Sequence, residues 1–138
     1  MELKDHVSEL NKRFSKSQPE ALLRYFLHEF SGKIALASSF GAEDQVLTDL
    51  IVKIDPSATI FTLDTGRLFY ETYDLIERTA SKYKVNIKIF FPDALAVEKM
   101  VNEKGINLFY QSIENRKECC GIRKLEPLKR FGKNKPVN

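Results

Sequence analysis

The chain has 138 residues, 43% hydrophobic and 30% charged, with a net charge of +3. That length suits one domain with a sizeable core, and no stretch approaches the roughly 18 apolar residues of a membrane span, so no membrane-spanning helix is expected. The start, Met1-Glu2-Leu3-Lys4-Asp5, has no apolar core of a secretory signal, and a cytoplasmic location is the default expectation.

In chain order, Leu3, Val7, Leu10 and Phe14 recur at helical spacing and predict a first amphipathic helix. Ser17-Gln18-Pro19-Glu20 starts a second, with Leu22, Leu23, Phe26, Leu27 and Phe30 as its stripe and Ser31-Gly32 as its end. Residues 33–38 form a short apolar run that reads as a buried strand. Ser38-Ser39-Phe40-Gly41-Ala42 breaks it, and a helix follows with Val46, Leu47, Leu50, Ile51 and Ile54 on one face, stopped at Asp55-Pro56. Residues 58–63 predict a second strand and Asp64-Thr65-Gly66 a turn. Phe69, Tyr73, Ile76, Ala80 and Tyr83 line another helix. Residues 85–91 predict a third strand, 94–104 a helix closed by Gly105, and 122–131 a basic helix-like stretch; Gly132 onward reads as a loose tail.

Short strands alternating with amphipathic helices predict an α/β fold, a doubly wound, mainly parallel sheet covered on both faces with right-handed crossovers. The charge is uneven. From Arg116 to Asn138 eight Lys/Arg stand against two Glu, giving +6, and the remainder carries −3. Such an end is either a solvated segment or a region for a small anion or anionic cofactor. Nucleic acid is disfavoured, because Phe131 is the only aromatic after Arg116 and no recognition motif accompanies it. His6 and His28 lie apart in helical stretches without partners, which argues against a ligand or catalytic role.

Three stretches carry chemistry. In open α/β sheets ligands bind beyond the carboxyl ends of the strands. The loop Ser38-Ser39-Phe40-Gly41-Ala42-Glu43-Asp44 sits there, with hydroxyls, a glycine and a helix start that favour a phosphate or sulfate. It is neither a Walker A loop nor G-x-G-x-x-G, and alone it also reads as an ordinary serine-rich turn. The turn Leu63-Asp64-Thr65-Gly66-Arg67-Leu68 offers a carboxylate for ribose or base, a glycine for a close turn and a fixed cation; a capped βα turn would look the same. Cys119 and Cys120 are the only cysteines and are adjacent, among Arg116, Lys117, Arg123 and Lys124. In a reducing compartment such a pair points to metal binding or reactivity more than to a disulfide, with two ordinary buried cysteines as the remaining alternative.

Taken together, Ser38-Ser39-Phe40-Gly41-Ala42-Glu43-Asp44, Leu63-Asp64-Thr65-Gly66-Arg67-Leu68 with Glu71-Thr72-Tyr73, and Cys119-Cys120-Gly121-Ile122-Arg123-Lys124 with Glu126-Pro127-Leu128 resemble the adenosine phosphosulfate reductase family of sulfate assimilation, most of all its bacterial, thioredoxin-dependent, iron–sulfur members. The resemblance covers about Lys33 to Arg130. It implies a Rossmann-like fold of the adenine nucleotide alpha hydrolase type and reduction of adenylyl sulfate to sulfite and AMP, a step toward cysteine biosynthesis. It implies that Ser38, Ser39 and Gly41 cradle the phosphosulfate-bearing nucleotide and that Leu63, Asp64, Thr65, Gly66 and Arg67 contact its adenosine part. Lys124 would lie between substrate sulfate and cluster. Cys119 and Cys120 would be two of four ligands to a [4Fe–4S] cluster, whose negative charge the neighbouring bases would offset. The adjacent pair also implies adenylyl sulfate as substrate, not its 3′-phosphorylated form. On this reading one domain spans 1–138, with N-terminal helices at 1–31, a nucleotide-binding core at 33–110 and the basic Cys-Cys segment at 111–138.

The sequence departs from that family in three respects. The family's second cysteine pair, its nucleophilic cysteine in a Glu-Cys-Gly segment and its downstream arginines have no counterpart among these residues. The expectation is therefore an N-terminal portion of a reductase, inactive alone and without an intact cluster, with homo-oligomerisation left open. A non-catalytic adenine-nucleotide-binding remnant or subunit is the alternative. An ATP pyrophosphatase-type enzyme is disfavoured, because its loop resembles Ser-Gly-Gly-x-Asp-Ser.

Overall fold

Parallel pairing of three short strands organises the computed structural model, which describes residues 2–133. The elements are α1 (Leu3–Phe14), α2 (Pro19–Glu29), β1 (Ala35–Ala37), α3 (Ala42–Ile54), β2 (Thr59–Leu63), α4 (Tyr70–Tyr83), β3 (Ile87–Phe90), α5 (Ala94–Lys104), a 3-10 turn (Leu108–Tyr110), α6 (Ile113–Cys120), a π-turn (Gly121–Leu125) and α7 (Glu126–Lys133).

The strands lie in the order β1-β2-β3, all parallel, with Leu36, Ile60 and Ile87 in one row across the sheet. Period-two alternation sends that row to one face. There it meets Val52 of α3 and Leu75, Ile76 and Ala80 of α4, together with the buried Phe40 ring. The next residue of β2, Phe61, points to the other face. Phe131 of α7 stacks on it at 3.9 Å between ring centroids, and Phe90 meets Phe131 edge-on at 5.3 Å. The crossover helices α3 and α4 thus cover one face, and the helix that follows the cysteines covers the other.

Only β2 is buried through its middle; Lys88 and Ile89 of β3 are exposed. The buried strands expected at 33–38 and 85–91 are shorter, at 35–37 and 87–90, because each pairs on one side only among the described residues. A second cluster gathers Met100, Leu108 and Cys119, with Ile122 and Phe109 against it. It fixes α5, the 3-10 turn and α6 together, and Lys104 pairs with Glu118 across the same seam. α1 buries no residue; its last turn leans on α2 through Phe14 and Tyr25, with Arg13 over both rings.

The expected helix at 122–131 proves to be the second half of a run that begins at Ile113. Ser112 caps its start, its Oγ accepting the Asn115 N–H at 3.1 Å, so both cysteines lie on a helix. The loose tail was expected from Gly132, but Gly132 and Lys133 close α7; the rest of that expectation, residues 134–138, lies outside the described residues. No helix among the described residues is long and apolar enough to cross a membrane.

Candidate functional site

Both turns that leave the carboxyl ends of β1 and β2 are organised by short-range hydrogen bonds. After β1, the Ser38 Oγ accepts the Phe40 N–H at 3.1 Å. The N–H and the hydroxyl of Ser39 both donate to Asp44 Oδ2, each at 2.6 Å, and the Gly41 N–H donates to the Ser39 Oγ. These two bonds from Ser39, hydroxyl first, hold the pKa of the Asp44 carboxyl below its ordinary value. Phe40 takes a left-handed backbone, φ 61°, with its ring buried. That conformation costs a non-glycine residue roughly 1–2 kcal/mol, and burial of the ring offsets it. The ring in the core therefore fixes how Ser38 and Ser39 are displayed.

After β2, Asp64 is the hub. Its N–H donates to the Phe90 carbonyl, and its Oδ1 accepts the Gly66 N–H at 2.8 Å and the Tyr73 hydroxyl at 2.9 Å. Gly66 has φ +78°, a conformation that glycine adopts without penalty. Arg67 turns away from β1. Its guanidinium donates to the Ile106 carbonyl at 3.2 Å and to Asn107 Oδ1 at 3.0 Å and lies over the Phe109 ring.

Two cavities open at this end of the sheet. The first, about 320 Å3, is lined by Ala37, Ser38, Ser39, Phe61, Thr62, Leu63, Thr65, Leu68, Thr72 and Lys124. The second, about 480 Å3, is lined by Thr65, Arg67, Leu68, Phe69, Phe109, Tyr110, Arg116, Cys119, Cys120, Arg123 and Lys124. Thr65, Leu68 and Lys124 line both and form the wall between them.

The fold thus brings Ser38, Ser39, Leu63, Thr65 and Lys124 to one cavity, and Arg67, Cys119 and Cys120 to the other, with Thr65 and Lys124 shared. Gly41, Asp64 and Gly66 line neither. They shape the loops, and Asp64 does so with an oxygen already occupied twice. Several lining residues carry no sequence signal of their own. Ala37, Phe61 and Thr62 are strand residues that read as core, while Leu68 and Thr72 read as turn and helix. Phe69 and Tyr110 are exposed aromatics beside the cysteines, visible only once residues 67–69 and 109–110 meet.

Cys119 is buried and Cys120 half-buried, and both are free thiols. Thiolates suit an iron–sulfur cluster, and Arg116, Arg123 and Lys124 on the same cavity would offset its charge. Two thiols are half the donors a four-iron cluster takes, and among the described residues no three His, Cys, Asp or Glu are grouped to hold a metal. The residues fit such a group in kind and charge, and in number by half.

Known proteins are similar to this chain in sequence and in fold. The family model described as phosphoadenosine phosphosulfate reductase domain matches residues 33–136. An adenosine 5′-phosphosulfate reductase of Burkholderia cepacia is 47% identical over 98 residues, 71% of this chain and 39% of that relative. One from Pseudomonas aeruginosa is 39% identical over 121 residues, 88% of this chain and 44% of the relative. A chloroplastic 5′-adenylylsulfate reductase of Arabidopsis thaliana is 38% identical over 126 residues, 91% of this chain and 27% of the relative. The chain therefore spans less than half the length of these curated relatives. A crystal structure of phosphoadenylyl-sulfate reductase from Candida auris, a phosphate complex, superposes with a TM-score of 0.83 at 26% identity, over 100% of this chain and 66% of that one. With two loops at the carboxyl ends of parallel strands, a cysteine pair beside them and a family match across three quarters of its length, the chain belongs to the phosphoadenosine phosphosulfate reductase domain family.

Proposed function

We propose that this chain forms the nucleotide-binding part of an adenylyl-sulfate reductase. One observation carries the reading: Lys124 lines the serine-rich cavity and the cysteine cavity alike. A nucleotide whose sulfate reaches that wall would place the sulfate's charge at the ammonium, with the thiols behind it. The three sequence relatives are named as reductases of adenylyl sulfate, which favours that substrate over its 3′-phosphorylated form. In this reading Ser38, Ser39, Leu63, Thr65 and Lys124 contact the nucleotide directly. Gly41, Asp64 and Gly66 hold the loops, and Arg67 secures the wall from the far side.

Cys119 and Cys120 would hold two positions of a [4Fe–4S] cluster, which when bound supplies a polarising, redox-capable neighbour to the sulfate. The other two thiolates must come from outside these residues, because the chain has no further cysteine. The same count bears on the reaction. Conversion of adenylyl sulfate to sulfite and AMP needs two electrons. In the scheme the family suggests, a cysteine thiolate attacks sulfur, the bond to AMP breaks with its electron pair on AMP, and thioredoxin's dithiol then releases sulfite and becomes oxidised. Neither cysteine here is free for that attack if both hold iron. The 138-residue chain alone should therefore bind nucleotide without turning it over.

Calorimetry with AMP, adenylyl sulfate and 3′-phosphoadenylyl sulfate tests the reading. Adenylyl sulfate should bind more tightly than AMP, and Lys124→Met should abolish the difference. Absence of binding by all three would sink the proposal. Sulfite production from the chain with thioredoxin and reductant would refute the inactive part and leave the nucleotide part standing. Binding of AMP alone would favour the non-catalytic nucleotide-binding reading.

A further inference from the structure

One hydrogen bond runs directly from the helical run that carries the cysteines to the β2–α4 turn. Arg123 Nη1 donates to the Thr65 carbonyl at 2.6 Å, across 58 residues of sequence. Arg123 is 6% exposed, and its Nε is buried without a hydrogen-bond partner. Among the described residues no carboxylate lies within ion-pairing distance of it. Burying a cation this way is expensive, and an apolar side chain of similar length would fill the space at lower cost. The arrangement is therefore poor as a stabilising device and needs another explanation.

Its surroundings supply one. Arg123 lies in the π-turn Gly121–Leu125, between Cys119-Cys120 and α7. A π-turn takes up one extra residue, so the residues after it are turned back by about 100° relative to an uninterrupted helix. Within that turn Arg123 lies against the turn after β2, bonded to Thr65, while Lys124 remains on the wall between the cavities. A side chain at Gly66 would come within 3.1 Å of Nη1, so the turn and the guanidinium are seated closely.

We propose that Arg123 is the positioning residue of this site. Its bond to Thr65 sets the spacing between the β2–α4 turn and the cysteine helix, and thereby holds the Lys124 ammonium over the nucleotide cavity. The role of Lys124 rests on the function proposed above; the brace itself does not.

The test uses the full 138-residue chain as wild type, Arg123→Met, Arg123→Lys, Lys124→Met and the double variant Arg123→Met/Lys124→Met. Residue-resolved amide exchange comes first. Arg123→Met should speed exchange roughly tenfold at Gly66 and Arg67, as expected for loss of one hydrogen bond, with α3 and α5 unchanged. Arg123→Lys, which keeps one donor, should restore part of the protection, and Lys124→Met should match wild type there. Protection unchanged at that turn in both Arg123 variants overturns the brace. If Arg123→Met exchanges fast everywhere, it has unfolded and the Lys variant decides: local loss upholds the brace and none overturns it.

Titration comes second. The affinity ratio of adenylyl sulfate to AMP should fall roughly tenfold in Lys124→Met, by a similar factor in Arg123→Met and no further in the double variant. Multiplying losses overturn the positioning of Lys124. Wild type that binds neither nucleotide removes the function proposed above, and the exchange result still decides the brace.

Discussion

Tyr73 donates its hydroxyl to Asp64 at 2.9 Å, tying the first turn of α4 back to the end of β2. The same Oδ1 takes the Gly66 N–H, so one carboxylate oxygen holds both sides of the turn that lines the first cavity. Tyr73→Phe removes one of these bonds and should lower stability by about 0.5–1 kcal/mol, read from urea denaturation. Burial first, then the bond to Asp64, pushes the Tyr73 hydroxyl above its ordinary value of 10.0. Its folded value therefore exceeds its unfolded one, and the stability it contributes is complete below pH 10 and is lost as pH rises through the folded value. In Tyr73→Phe this part of the alkaline loss should disappear.

Asp44 titrates in the opposite sense. Hydrogen bonds from Ser39 lower its pKa below the ordinary 3.8, so its contribution is present above that value and fades as pH falls through the folded one. A carboxyl-detected NMR titration should find its midpoint below 3.8. Asp44→Asn should remove the acid-side change in the amide shifts of Ser39 and Gly41. A midpoint at or above 3.8 would contradict the bonds described.

The two glycines near Arg123 should behave oppositely. Gly66→Ala meets both a left-handed backbone and a guanidinium nitrogen at 3.1 Å, and a loss of about 1–2 kcal/mol is expected. Gly121 has φ −60° and nothing within 4 Å of an added Cβ. Gly121→Ala should be neutral or stabilise by up to about 1 kcal/mol through helix propensity. Thermal unfolding of the pair checks both signs.

Phe131→Ala should release α7 from the sheet. The ring stacks on Phe61 and meets Phe90, and it is half-buried, so a cost of about 2 kcal/mol is expected, below that of a fully buried ring. The measurement is chemical denaturation, with α7 amide exchange as the local readout.

The thiols should differ in reactivity. Both line the second cavity, but Cys119 is buried against Met100 and Leu108, whereas Cys120 is half-buried. Brief alkylation followed by peptide mass mapping should label Cys120 first. Equal labelling of the two in the folded chain would contradict their placement.

Helix positions up to Tyr83 were legible because their apolar stripes are dense: Leu3 to Phe14 and Tyr70 to Tyr83 need only the period of 3.6. The helix carrying the cysteines was not, since Ile113-Glu114-Asn115-Arg116-Lys117-Glu118 offers one apolar side chain and no stripe; tertiary packing of Cys119 and Ile122 creates its buried face. The loop residues Ser38, Ser39, Leu63 and Thr65 could be brought together from their position at strand ends, and they line one cavity. The direction of Arg67 could not, because its partners at Ile106 and Asn107 lie about forty residues away. Nor could the duty of Asp64 be read, since a carboxylate that organises its own turn and one that receives a ligand have the same sequence signature.

The bond between Arg123 and Thr65 also has a bearing on the order of folding. The Ser39–Asp44 and Asp64–Tyr73 contacts close within five and nine residues, at small entropic cost, so both strand-end turns can form as soon as their strands pair. The wall at Lys124 waits for closure across 58 residues and for docking of the whole helical run after Ser112. A refolding chain should pass through a state in which the first cavity lacks its Lys124 wall and the thiols are exposed. In that interval Cys119 and Cys120 are most accessible to iron, to oxidants or to the thiols of a second chain.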